Sequence, residues 1–173
     1  MKELCTARLV LRLPQPADAA PLLRHLQHPD VSRWWHGYDA QRVWEELIAG
    51  EDEETTRLVI ERTADAQVAG LVQFTEHSDP DYRHAGIDLF LGPEFQRQGL
   101  GQEAIRAVVE YLIDERHHHR LVIDPAVTNE RARATYARVG FRLVGVMREY
   151  ERGADGTWHD GALMELLARD YVR

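Results

Sequence analysis

The stretch "QRQGLG", Gln96 to Gly101, places two glycines where a short apolar run gives way to a long amphipathic one. Glycine in a loop that opens a helix suits an anion. The first N–H groups of a helix lack intrahelical partners, and the helix dipole favours negative charge at that end. Three anions fit a Gly-x-Gly in such a place: a dinucleotide, a nucleotide phosphate, or the pyrophosphate of coenzyme A. A dinucleotide fingerprint needs a third glycine near the first strand of a βαβ unit and an acidic residue about 20 positions on. Here the glycines follow a later strand, no third glycine stands at the right offset, and no Lys-Ser/Thr follows as in a nucleotide P-loop. Upstream, Asp88 lies between Ile87 and Leu89 in the apolar run "AGIDLFLG". A carboxylate on such a strand is costly unless it is paired or functional.

These groups need a scaffold, and periodicity supplies one. Leu9, Leu11 and Leu13 alternate with Arg8, Val10 and Arg12 as a strand ending at Pro14, and "PADAAPLLRHLQ" then opens a helix with Asp18 as its N-cap. "DVSRWWHGYD" reads as an aromatic loop, and "AQRVWEELIAG" as a second amphipathic helix stopped by Gly50. "TRLVIER" and "QVAGLVQFTE" form a hairpin turning near Ala64 to Ala66, and "AGIDLFLG" is the next strand, ended by Pro93. From Gly99 to about Glu115, Leu100, Ala104, Ala107, Val108, Tyr111 and Leu112 keep a helical period. "RLVID" is a short buried strand, and "NERARATYARVG" a helix capped by Asn129 and ended by Gly140. "FRLVGVMREYER" and "WHDGALMELL" are strands joined by a turn at "GADGT". The order β, α, α, β, β, β, α, β, α, β, β, with no linker or repeat, predicts one α/β domain over residues 1–173.

Composition narrows the function. The chain has 173 residues with 44% hydrophobic and 29% charged, ordinary for a soluble domain. No apolar run approaches the roughly 20 residues that span a bilayer, so no membrane partner is expected. The N-terminus alternates like a strand rather than a signal peptide, and the single cysteine, Cys5, fits a reducing compartment; a cytoplasmic location is the expectation. With 21 basic against 29 acidic residues the net charge is −8, which argues against nucleic acid and permits a cationic substrate. "EDEE", Glu51 to Glu54, reads as a solvated loop or helix end, and "HHH", His117 to His119, as solvated surface rather than a metal site. Oligomeric state is not legible.

"LFLGPEFQRQGLG" followed by a long helix resembles the acetyl-coenzyme A signature of the GNAT family of N-acetyltransferases, Arg/Gln-x-x-Gly-x-Gly/Ala, through Gln96, Gly99 and Gly101. "NERARATYARVGF" resembles that family's second signature through Asn129, Ala132, Tyr136, Gly140 and Phe141, and the likeness runs from Arg8 to about Asp170. The resemblance implies a GNAT fold: a mixed, largely antiparallel, splayed central sheet flanked by helices. It implies that N–H groups of Arg97, Gln98, Gly99, Leu100, Gly101 and Gln102 bind the diphosphate of acetyl-CoA. It also implies that backbone groups near Phe90 and Leu91 hold the pantetheine arm, that Asn129 contacts the cosubstrate, and that Tyr136 is the general acid. No metal is expected.

Within the family the C-terminal half is similar to aminoglycoside 6′-N-acetyltransferases, through "GIDLFLG", "IDPAVTNERARATYARVGF", "HDGALMEL" and "RWWHG". The likeness implies that Asp88 serves the reactive amine as proton acceptor and orienter, that Asp124 is a second substrate carboxylate, and that Trp34 and Trp35 belong to a substrate lid. The expected substrate is therefore a small polycationic amine. "TARLVLRLPQPADAAPLL" and "LLARDY" also resemble enzymes that acetylate the N-termini of ribosomal proteins, and that alternative stays open. A siderophore-biosynthetic acetyltransferase is a more distant reading. A degenerate domain that binds a small molecule without turnover is the non-enzyme reading.

Overall fold

Alternation decides the first strands. Leu9 and Leu11 are fully buried while Val10 and Arg12 are partly exposed, so β2 (Leu9–Arg12) turns every second side chain inward. In the computed structural model, which describes residues 2–50 and 52–173, β2 pairs antiparallel with a two-residue strand β1 (Leu4–Cys5) and with β3 (Thr55–Arg62). Residue Glu51 of the acidic run lies outside the described residues; Asp52 to Glu54 are exposed. The hairpin of β3 and β4 (Gln67–His77) turns as expected, with Ala66 at φ 54. Next come β5 (His84–Leu91), β6 (Arg120–Ile123), β7 (Arg142–Arg152) and β8 (Trp158–Leu167). The eight strands form one sheet in the order β1-β2-β3-β4-β5-β6-β8-β7.

All pairings are antiparallel except β5 with β6. That parallel pair meets only at Ala85↔Leu121 and Gly86↔Val122. Beyond Gly86, β5 continues to Leu91 with β4 alone beside it. The sheet therefore splits there, as the resemblance implied.

Helices cover both faces. On one, α4 (Leu100–Glu110) runs on as a π-helical turn to Glu115, and with α5 (Glu130–Val139) packs on Leu58, Ile60, Val72 and Ile87. On the other, α1 (Ala19–Leu26) and α2 (Pro29–Ser32) bury Val59, Leu71 and Phe90, and the short α3 (Ala40–Arg42) lies at the surface. The segment after α3, Val43–Ile48, continues it as a π-helix and buries Val43 and Leu47. Consecutive residues Leu58, Val59 and Ile60 serve opposite layers, which is the strand period at work.

Four local expectations need correction. Leu13 lies past the end of β2 and is half exposed, because Pro14 has no N–H with which to extend the ladder. Asp18 does not cap α1. Its buried carboxylate accepts from the Arg12 guanidinium at 2.8 and 2.9 Å and from the Gln15 N–H at 2.7 Å, a charge pair that outcompetes a cap. The aromatic loop opens with the helical turn α2, where Pro29 starts the turn and His28 Nδ1 accepts from the Asp30 N–H. Among the three adjacent histidines, His118 is 2% exposed rather than solvated, its ring held by Glu76.

Candidate active site

The split between β5 and β6 opens a cavity of about 640 Å³. Its walls come from the exposed length of β5, the loop and first turn of α4, the segment after β6 from Asp124 to Ala126, α5 as far as Arg138, and the far end of β7. Trp34 and Trp35 close it from the loop after α2. Trp35 packs edge-on against Phe90 at 5.0 Å between ring centres, and Arg33 stacks over Trp34 at 5.2 Å.

Glycine shapes the loop. Gly99 takes φ 79, a conformation that costs an L side chain, and Arg97 takes φ 60. Gly101 is different: a Cβ there would meet Leu91 Cδ1 at 3.5 Å, an ordinary contact. The fold does not need glycine at 101. Among the described residues, no group accepts a hydrogen bond from the N–H groups of residues 97 to 102. Arg131 and Arg138 stand in the same wall, adding positive charge. A diphosphate fits this donor set.

Gln96 ties the loop to the strand. Its Nε2 donates to the Leu91 carbonyl at 2.8 Å, and its Oε1 accepts from Arg131 at 2.6 Å. Asn129 caps α5, its Oδ1 accepting from the Ala132 N–H at 3.1 Å, and it also lines the cavity. Leu91, Arg97 and Gln102 reach the wall, whereas two expected residues do not. Leu100 is 2% exposed and belongs to the core, and Gln98 turns outward to donate to the Glu94 carbonyl at 2.6 Å. Any part they play is through their N–H groups.

Three carboxylates line the cavity close enough to act on one another. Asp88 opens to the cavity but is enclosed by protein on its other sides; its Oδ1 accepts from the Leu89 N–H at 2.8 Å. Enclosure, followed by the charge of Asp124, pushes its pKa up to about 7. Asp124 follows β6 and accepts a hydrogen bond from the Tyr150 hydroxyl. Glu151 completes the group, its proton affinity raised by burial and then by Asp124, with His159 and His36 opposing. Among the described residues, no Arg, Lys or His pairs with Asp88, Asp124 or Glu151 within 4.0 Å.

Tyr136 faces these carboxylates from α5. It is 6% exposed, packs on Phe141 at 6.5 Å, and its hydroxyl has no partner among the described residues. Burial, then the charges of Asp88 and Asp124, raise its pKa, so the phenol keeps its proton. A protonated phenol beside an unpaired carboxylate can donate to one reacting atom while the carboxylate accepts from another.

Tyr150 and Glu151 escaped the sequence reading. "REYER" carries no apolar alternation to mark an inward face, and the strand slips register between Met147 and Glu151, with Glu149 at φ 51. The usable signal lies across the ladder at Gly161, where a Cβ would meet the Tyr150 ring at 2.7 Å. Among the described residues no group of three or more His, Cys, Asp or Glu is placed to hold a metal ion, and no helix is long and apolar enough to cross a membrane.

Comparison with known proteins bears on this geometry. Residues 8–142 match the family model described as an acetyltransferase (GNAT) domain. The chain is 26% identical over 106 residues, 61% of its length, to the ribosomal protein uS5-alanine N-acetyltransferase of Escherichia coli, and the match spans only 54% of that relative. It is 26% identical over 158 residues, 80% of its length and 76% of the relative, to an aminoglycoside N(6′)-acetyltransferase type 1 of Klebsiella pneumoniae. A solved spermidine N-acetyltransferase of Vibrio cholerae, in complex with CoA and spermine, superposes with a TM-score of 0.80 at 21% identity, covering 97% of this chain and 100% of that one. With the split sheet, the glycine loop and a family model that matches most of its length, the chain belongs to the GNAT acetyltransferase family.

Proposed function

We propose that the protein is an acetyl-CoA-dependent N-acetyltransferase whose acceptor is a small polycationic amine, the 6′-amine of an aminoglycoside. The observation that carries this reading is the group of three carboxylates lining the cavity, unpaired with any cation among the described residues. A rigid substrate with several ammonium groups complements it, whereas a neutral acceptor would leave the charges uncompensated.

Acetyl-CoA supplies the acetyl group as a thioester. N–H groups of residues 97–102 and the start of α4 hold its diphosphate, with Gly99 and Gly101 admitting it close to the backbone. The open edge of β5 near Phe90 and Leu91 receives its arm as an added strand would pair. Asp88 takes a proton from the substrate ammonium, directly or through water, and orients the resulting neutral amine toward the carbonyl carbon. The C–N bond forms as the C–S bond breaks; the Tyr136 hydroxyl gives its proton to the departing sulfur and is restored by the second proton, which the nitrogen sheds on becoming an amide. Transfer is direct, with both substrates bound together.

The similarity to the uS5-alanine N-acetyltransferase favours a second acceptor, a protein α-amine. A thiol-release assay separates the two, with kanamycin A, spermidine and a peptide bearing a free N-terminal alanine as acceptors. Kanamycin should be acetylated with the highest kcat/KM. Turnover of the peptide alone would overturn it.

A further inference from the structure

The turn between β1 and β2 packs against the glycine loop, although Arg8 and Gln98 are 90 positions apart in the chain. Its anchor is Glu103, in the first turn of α4. One carboxylate oxygen accepts from the Thr6 hydroxyl at 2.7 Å and from the Arg8 N–H at 2.9 Å, and the other accepts from Arg8 Nε at 2.7 Å. Burial alone would raise the Glu103 pKa, but the hydrogen bonds from Thr6 and Arg8 hold it below the ordinary carboxylate range, so the pair is ionised. The same guanidinium turns its Nη1 to the Gln98 carbonyl at 2.8 Å. Its rigid fork thus ties the loop to the helix that follows. Gly99, Gly101 and Gln102 line the cavity, whereas Thr6, Arg8, Gln98 and Glu103 stand outside its wall. The clamp acts from behind the loop.

The direction of one carbonyl fixes the direction of the next N–H. In a trans peptide unit, as at Gln98–Gly99, the C=O and the N–H point opposite ways. With the Gln98 carbonyl held outward by Arg8, the Gly99 N–H faces the cavity, and among the described residues nothing accepts from it. Unrestrained, this unit could flip. Gly99 has no Cβ to confine it to one sign of φ, so the freedom that lets a ligand approach the backbone also lets the backbone turn away. A flip would withdraw the N–H and present the carbonyl oxygen to an anion, which it repels.

We infer that Arg8 is a positioning residue for the cosubstrate: by holding the Gln98 carbonyl it keeps the Gly99 N–H aimed at the diphosphate of acetyl-CoA. This role rests on the acetyl-CoA reading and deepens it. A guanidinium that served the fold alone would need only Glu103, which already occupies its Nε and Nη2. Nor does Arg8 reach the ligand itself. Its Nη2 lies 3.4 Å from where a Cβ on Gly99 would stand, and no atom of it lines the cavity.

The test removes the fork and keeps the carboxylate satisfied. Arg8→Met alone leaves Glu103 without its cation, so it is also made together with Glu103→Gln, where no charge is stranded and folding is secured. Calorimetric affinity for acetyl-CoA should fall about tenfold from Glu103→Gln to the double variant, the worth of one charge-assisted hydrogen bond. The drop should persist at 1 M salt, where a charge behind the loop is screened over about 3 Å. In the ligand-free protein the Gln98 carbonyl-carbon resonance should move upfield as its hydrogen bond is lost, while amide resonances of α5 stay in place, which separates loss of aim from loss of fold. Equal affinity in the two proteins, a drop abolished by salt, or an unmoved Gln98 resonance overturns the role. If the parent protein binds no acetyl-CoA, the cosubstrate reading falls and the role falls with it. If the parent binds and loss of Arg8 costs nothing, the cosubstrate reading stands and only the role fails.

Discussion

Glu76 and Asp88 lie on neighbouring strands, one at each end of the contact between β5 and β6, and they have opposite environments. Glu76 accepts from Arg116 at 3.0 and 3.1 Å and bonds His118 Nε2 at 2.8 Å. Burial alone would raise its pKa, but Arg116 and His118 outweigh it and hold the group below the ordinary carboxylate range. Asp88 has no cation beside it among the described residues, and burial, then the charge of Asp124, moves its pKa up to about 7. The same residue chemistry on one sheet thus serves two ends. Where the strands pair, the carboxylate is satisfied by the chain and locks it; where they part, it is left for something the chain does not contain.

The largest expected effect breaks the comparison at the open end. Asp88→Asn keeps the shape and removes the proton acceptor, so turnover should fall about 10²–10⁴-fold, the usual worth of general acid–base catalysis. The fold should not suffer. A carboxylate whose folded pKa is raised binds a proton more tightly folded than unfolded, so it costs stability increasingly as pH rises from about 4 to about 7. The asparagine variant should melt at or above the parent temperature at pH 8; a clear drop would make Asp88 a structural residue like Glu76.

Next comes Tyr136→Phe, which removes only an unpartnered hydroxyl. Turnover should fall about 10²-fold with cosubstrate affinity nearly intact. Calorimetry and single-turnover kinetics together decide it, and parental turnover with chemistry limiting would return Tyr136 to the core.

At the closed end the expectation reverses. Glu76→Gln removes the charge that Arg116 and His118 face and turns one acceptor oxygen into an NH2 donor, and it should cost about 1–3 kcal/mol in denaturant unfolding, with turnover little changed. Because the folded pKa of Glu76 is lowered, its stabilising share is present above its unfolded pKa and is lost as pH falls through the folded value. The difference between parent and variant should therefore shrink on acidification below about pH 4.5. A constant difference across that range would break the assignment.

The smallest effect on the fold belongs to Gly101→Ala. A Cβ at 101 meets nothing closer than 3.5 Å, and alanine suits a helix better than glycine, so stability should hold or rise by about 0.4–1 kcal/mol. Acetyl-CoA affinity should fall nonetheless. Equal affinity in a calorimetric titration would remove Gly101 from the cosubstrate site.

The open end was more legible in the sequence than the closed one. Gly99, Gly101 and Asn129 announce themselves because backbone conformation and capping are local demands, met within a few residues. Asp88 was visible as a charge breaking an apolar run. Tyr150 and Glu151 were not, since a bulge changes which face a strand residue serves and no propensity marks it. His118 was misread for a related reason: the groups that bury and pair it, Glu76 among them, come from a strand about forty positions away. Asp18 looked like a cap because its spacing was right, but Arg12 on the preceding strand claimed it first. Local chemistry can be read along the chain, whereas pairing across the sheet can be seen only once the sheet has formed.

The contrast between the two carboxylates can be measured without any substrate. Carboxyl-carbon NMR of the free protein, with Asp88→Asn and Glu76→Gln used to assign the two resonances, follows each group through its own titration. The Asp88 midpoint should lie near pH 7, with Glu76 titrating below the ordinary carboxylate range. An Asp88 midpoint near 4, together with the same behaviour at Glu76, would mean that the split in the sheet holds no poised proton acceptor, and would contradict the account.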